Sequence, residues 1–149
     1  MTYNTRTGKY SIYGESDVQD LIDELVGADL VVGFNHISFD YEVLMGYTIR
    51  DLKEQTQNLD LMLDLEVHLQ HRPKLDAVAS ASLGEGKTAV GTDAIKWWRE
   101  GKYREVAEYC CYDVKVTKAV HEFGAQHGRV NYMNRFKQLQ AVPVNWTLD

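Results

Sequence analysis

The sequence predicts an α/β fold, and three observations lead there. Leu30, Val31 and Val32 form a short apolar run, the pattern of a buried strand, with Gly33 letting the backbone turn at its end. Before that run, Val18, Leu21, Ile22, Leu25 and Val26 recur at helical spacing, and a long helical segment extends from about Arg104 to Gln126. Strand formers at both ends of the chain, Tyr3 with Tyr10–Tyr13 and the tail from Arg129 to Trp146, add further β structure.

Taken in order, Thr2 to Tyr13 reads as a β-hairpin around the turn Asn4-Thr5-Arg6-Thr7-Gly8. Ser16 opens a helix, with Gln19 completing a capping box, and Gly27 ends it. After the Leu30–Val32 strand, Asn35 lies on a loop. Ser38 is placed to cap a helix from Phe39 to about Gly46, which puts Asp40 in the first turn, where the helix dipole favours a negative charge. Asn58 to Leu61 reads as a short strand leading into a helix near Met62 to Gln70, and Pro73 punctuates. Leu75 to Leu83 is a small-residue helix, and Gly84, Gly86 and Gly91 mark a flexible loop. Thr92 caps a short helix carrying Ile95, Trp97 and Trp98, which Gly101 ends. The tail reads as a hairpin or an added edge strand. No repeat, low-complexity tract or linker interrupts residues 1–149, so one domain is expected.

Composition narrows the function. A chain of 149 residues with 44% hydrophobic content, three Trp and nine Tyr suits a globular domain with a real core. A net charge of −6 and a pI near 5.3 argue against a non-specific nucleic-acid coat. They leave room for a carboxylate metal site, which is acidic itself and regains positive charge from its cations. Cys110 and Cys111 are adjacent and point apart on a helix, so they read as reduced residues of an intracellular protein. No apolar run reaches membrane length and no signal peptide opens the chain, so a cytoplasmic protein is expected.

Two motifs carry chemistry. Asn35-x-x-x-Phe39-Asp40 resembles the second sequence motif of the DEDD-type 3′–5′ exonucleases. Tyr109-x-x-x-Asp113, whose ends share one helical face, resembles the third motif of the tyrosine-bearing branch. Between them, L-D-A-V-A-S-A-S-L-G-E-G-K and W-W-R-E-G-K are similar to the exonuclease domains of YprB type, some of which are joined to helicases. The resemblance runs from about Gly14 onward. It implies a ribonuclease-H-like mixed sheet flanked by helices, acting on single-stranded DNA or RNA. It also implies phosphodiester hydrolysis by two cations, Mg²⁺ or Mn²⁺, about 3.5–4 Å apart. By that resemblance Asp113 binds the catalytic metal, Tyr109 orients the attacking water, and Asp40 holds the other metal largely through water. Asn35 and Phe39 lie beside the substrate strand. The expected geometry is convergence of Asp40, Asp113 and Tyr109 on one pocket at the end of the Leu30–Val32 strand.

The chain departs from that family at one point. The family begins with Asp-x-Glu on its first strand, and no such strand precedes residue 30. Asp64-Leu65-Glu66 is no substitute, because residues i and i+2 on a helix diverge by about 200°. The expectation is an N-terminally incomplete domain with a weak Mg²⁺ or Mn²⁺ site and impaired hydrolysis. The alternative is a non-catalytic module that binds nucleic acid or protein. The usual first strand being absent, the Leu30–Val32 edge is left unpaired. Either the N-terminal hairpin fills it, or a second copy pairs there as a homodimer.

Three further features carry weaker signals. Gly84-Glu85-Gly86-Lys87-Thr88 imitates the end of a P-loop, but Ala81 stands where the first glycine belongs. Lys87 remains a candidate contact to a nucleic-acid phosphate. His68 and His71 beside Glu66 read as surface residues more readily than as metal ligands. Trp97 and Trp98 either stack on bases or anchor a core, and their amphipathic helix favours the core.

Overall fold

The structure, a computed structural model, describes residues 1–84 and 91–148. Lys87 and the P-loop-like stretch around it lie outside the described residues, as does the side chain of Thr92. The architecture is mixed α/β. It opens with an antiparallel hairpin, β1 (Thr2–Asn4) and β2 (Lys9–Ser11), with Tyr3 opposite Tyr10. Gly8 closes its turn at φ +70°, a conformation glycine enters without steric cost. The next helix, α1 (Val18–Gly27), holds this hairpin, because Glu24 accepts hydrogen bonds from the Thr2 and Tyr13 hydroxyls. The entry to α1 differs from the Ser16–Gln19 box. A short 3-10 turn, Glu15–Asp17, comes first, and Asp17 accepts the Gly14 N–H at 3.2 Å. Gln19 instead donates to Asp23.

β3 (Val31–Gly33) and β4 (Asn58–Asp60) form a parallel pair, with Gly33 opposite Asp60. Between them come a π-helical turn at His36–Asp40, α2 (Tyr41–Leu44) and α3 (Leu52–Gln55). The last has a clear cause that the sequence reading passed over: Asp51 accepts the Glu54 N–H as its cap. α4 (Leu61–Leu69) follows β4 directly, and α5 (Leu75–Leu83) and α6 (Gly91–Arg99) lead into the 25-residue α7 (Tyr103–His127). The tail is a hairpin, β5 (Arg129–Met133) with β6 (Leu139–Pro143).

The main core lies where α7 crosses α4, α5 and the tail hairpin, around Leu61, Leu65, Val78, Val116, Val120 and Val130. A second cluster joins Ile22 of α1 to Tyr41, Leu44 and Leu52. Trp146 closes the main core: its ring packs on Gly124 of α7, and its indole N–H donates to Asp64 at 2.6 Å. Asp64 is thus occupied by the C-terminal tail, and Glu66 pairs with Arg72 at 3.2 Å, so the two residues of Asp64-Leu65-Glu66 do part company. The N-terminal hairpin does not fill the edge of β3. Its strands pair with each other, it is anchored to α1, and Lys118 of α7 lies 5.0 Å from the Tyr3 ring. Among the described residues β3 pairs only with β4.

Gly124 is required by closeness rather than by backbone freedom, since a Cβ there would overlap the Trp146 ring. Gly124→Ala is expected to lower stability in urea by about 1–3 kcal/mol, the usual cost of overpacking. Gly27→Ala at the end of α1, where a Cβ meets open space, is expected to be neutral or to gain up to about 1 kcal/mol. Wild-type stability in Gly124→Ala would contradict this packing.

Candidate functional site

The parallel pair β3–β4 positions the first motif. At the C-terminal ends of both strands the chain turns, and both turns close on the Asp60 carboxylate. Its Oδ1 accepts the Asn35 N–H at 2.8 Å and the Met62 and Leu63 N–H groups at 3.1 and 3.3 Å. Its Oδ2 accepts the Ile37 N–H at 3.2 Å. Asp60 therefore caps α4 and, with the same side chain, fixes the loop after β3. That loop is not built as the local sequence suggests. Asn35 occupies the left-handed region at φ +63°, and the chain then winds through the wide turn His36–Asp40. Ser38 lies exposed inside this turn and caps nothing, and Asp40 falls at its end, just before α2. Gly33 is needed for a different reason than turning, because a Cβ there would sit 2.5 Å from His36 Nδ1.

Behind the loop lies a polar network. The Tyr41 hydroxyl donates to Asn58 Oδ1 at 2.6 Å, and His36 Nε2 meets the same oxygen at 3.1 Å. His36 Nδ1 lies 3.7 Å from Asp60 Oδ2 and has no hydrogen-bond partner. Asn35 Oδ1 is also buried without a partner. Among the described residues the third such atom is Glu66 Oε2, which has Arg72 as a counter-ion. Two buried polar atoms without partners on one loop mark it as a functionally suspect element.

The second motif lies on α7, which packs against β3. Cys110, one residue from Tyr109, feels charges from both motifs. Burial raises its thiol pKa, the Met1 ammonium opposes that rise, and both Asp113 and Asp40 add to it. Asp40 and Asp113, from separate elements, thus act electrostatically on one thiol. Asp113 is half-buried. Tyr109 is half-buried too, with its ring edge-on to Trp97 at 6.5 Å. Phe39 projects from the turn, 62% exposed. The shallow depressions lined by Ile95 to Glu100 and by Leu63 to Gln70 include none of these residues.

Asp40 is exposed as a residue, yet the protein around its carboxyl raises its pKa above the ordinary 3.8, mainly by desolvation, with His36 opposing. The two carboxylates do not by themselves fit a pair of cations. Among the described residues no group of three or more His, Cys, Asp or Glu is arranged to hold a metal ion, and His71 stacks on Tyr132 at 5.5 Å. Sequence reasoning missed Asp60, His36 and Asn58. The signal for Asp60 was present, an Asp ending a short strand just ahead of Leu61-Met62-Leu63, the pattern of an N-cap. No family model matches the chain, and no curated protein or solved structure matches it.

The raised pKa fixes the sign of a pH effect. The fold holds the Asp40 proton more tightly than the unfolded chain does, so stability falls as pH rises from the ordinary carboxylate value to the raised one. Asp40→Asn removes that cost. It is expected to raise the melting temperature at neutral pH and to lose its advantage below 3.8, where both states hold the proton. A variant less stable than wild type at neutral pH would show that Asp40 serves the fold.

Proposed function

We propose that this chain is a nucleic-acid-processing domain of the 3′–5′ exonuclease type, built on a ribonuclease-H-like plan but lacking the Asp-x-Glu pair. The supporting observation is that Asp40, on the loop after β3, and Asp113, on α7, both act on the Cys110 thiol. Asp40 and Asp113 stand 73 positions apart in the chain, in the order the resemblance requires, and their shared influence on one thiol supports the reading. Asp40 and Asp113 would be the residues to hold one Mg²⁺ or Mn²⁺, and with two carboxylates they would hold it weakly. When bound, such a cation supplies charge stabilisation to a phosphoryl oxygen. Two carboxylates fall short of a two-cation site, so no hydrolytic step is assigned to this chain alone. In this reading Asn35 and the exposed Phe39 lie beside the substrate strand.

The second reading is a module that binds nucleic acid without cleaving it, and it is supported by the finding that, among the described residues, no group of three or more His, Cys, Asp or Glu is arranged to hold a metal ion. Titration with Mn²⁺, followed by paramagnetic broadening of amide signals, separates the cases when run beside nucleotide release from a 3′-labelled single strand. Weak binding that broadens signals around Asp40 and Asp113 together, is lost in Asp113→Asn, and is accompanied by little or no release is the expected result. Robust release that disappears in Asp113→Asn would show that hydrolysis is intact. Broadening near neither carboxylate would remove the nuclease reading.

A further inference from the structure

Trp97 and Trp98 point in different directions. Trp97 is half-buried against Tyr109. Trp98 is 62% exposed, and its ring lies 4.8 Å from that of Tyr103, itself 59% exposed, at an interplanar angle of 61°. The corner between α6 and α7 creates this pair. Lys102 N–H bonds back to Trp97 carbonyl at 2.8 Å, and Gly101, at φ +76°, turns the chain so that Tyr103 returns to Trp98. Two large aromatic rings in contact with each other and with water forgo a sizeable burial gain, which marks the surface as one built for contact.

Cations outnumber acids along the corner itself. Residues 95–104, I-K-W-W-R-E-G-K-Y-R, carry four cations and one acid, net +3, in a chain of net −6; Asp93 and Glu105 bracket the stretch. Lys102 pairs with Glu100 at 3.0 Å and Arg104 with Glu108 at 3.1 Å. Lys96 and Arg99, three apart on α6, line a shallow depression together with Ile95 and Glu100. We propose that this corner binds a single-stranded polynucleotide, with bases stacked on the Trp98–Tyr103 pair and phosphates at Lys96 and Arg99. Cations meet the phosphates, and ring faces meet bases that are not hidden in a duplex. An acidic protein surface would satisfy the cations but would bring no flat partner for the rings. Tyr103 lies ten residues before Asp113 on α7, about 15 Å along the helix axis, so one strand can span this corner and the candidate site.

The test is anisotropy of a labelled oligothymidylate of roughly ten nucleotides with the full chain in chelator, so that metal binding at Asp40 and Asp113 plays no part. Trp98→Ala and Tyr103→Ala are each expected to weaken binding about fivefold or more. Lys96→Ala with Arg99→Ala is expected to flatten the salt dependence by about 0.7 log units per cation removed. Phe136→Ala, an exposed aromatic beneath Arg135 on the tail hairpin, is expected to stay within about twofold of wild type. No measurable binding, no effect of Trp98→Ala, or equal affinity for a duplex of the same length would overturn the proposal. Strand binding at this corner without Mn²⁺ binding at the carboxylates would sink only the nuclease reading.

Discussion

Four backbone N–H groups, from two segments about 25 residues apart, converge on the Asp60 carboxylate. Each is a charge-assisted bond worth about 1.5–3 kcal/mol, and together they offset the cost of placing a carboxylate at 5% exposure. Without that acceptor, the left-handed Asn35 and the wide turn after it would have no local reason to persist, since no side chain caps that turn. Asp60 thus ties the end of β3, the start of α4 and the position of Asp40 to one side chain. The close fit of His36 over Gly33 is part of the same knot.

The knot exacts a cost elsewhere. Asp40 sits where its charge is disfavoured, and His36 Nδ1 and Asn35 Oδ1 are buried without partners. Such features concentrate where a protein holds groups ready for something outside itself. Here they are gathered on one segment, the loop after β3. The electrostatics there are not purely acidic, since the Met1 ammonium also acts on Asp40 and Cys110.

Much of the fold was legible because it depends on local periodicity. The apolar rows of α5 and α7 define helices whose limits, Leu75–Leu83 and Tyr103–His127, follow the sequence pattern within a residue or so. The N-terminal hairpin announces itself through strand formers around a polar turn, whereas the tail, without clean alternation, left a hairpin and an added edge strand both open. The segment from Asn35 to Asp40 was not legible, because its conformation is set by an acceptor in another strand. Local rules offered Ser38 as a cap, whereas Asp60 supplies the hydrogen bonds and the turn widens to reach it. Trp97 and Trp98 illustrate the same limit: amphipathicity says one face is buried, but only the α6–α7 corner decides which ring it hides. The place of the N-terminal hairpin was likewise a tertiary matter, settled by Glu24 and Lys118 instead of by the open edge of β3.

The central claim is that the Asp60-held loop brings Asp40 to the same neighbourhood as Asp113, and Cys110 reports on it directly. In a Cys111→Ser background a single thiol remains, and its titration can be followed by thiolate absorbance or alkylation rate. Asp40 and Asp113 both raise the Cys110 pKa, so Asp40→Asn and Asp113→Asn should each lower it, and Asp60→Asn should erase the Asp40 effect while leaving that of Asp113. A thiol that responds to Asp113→Asn but not to Asp40→Asn would place the two carboxylates apart and contradict the account.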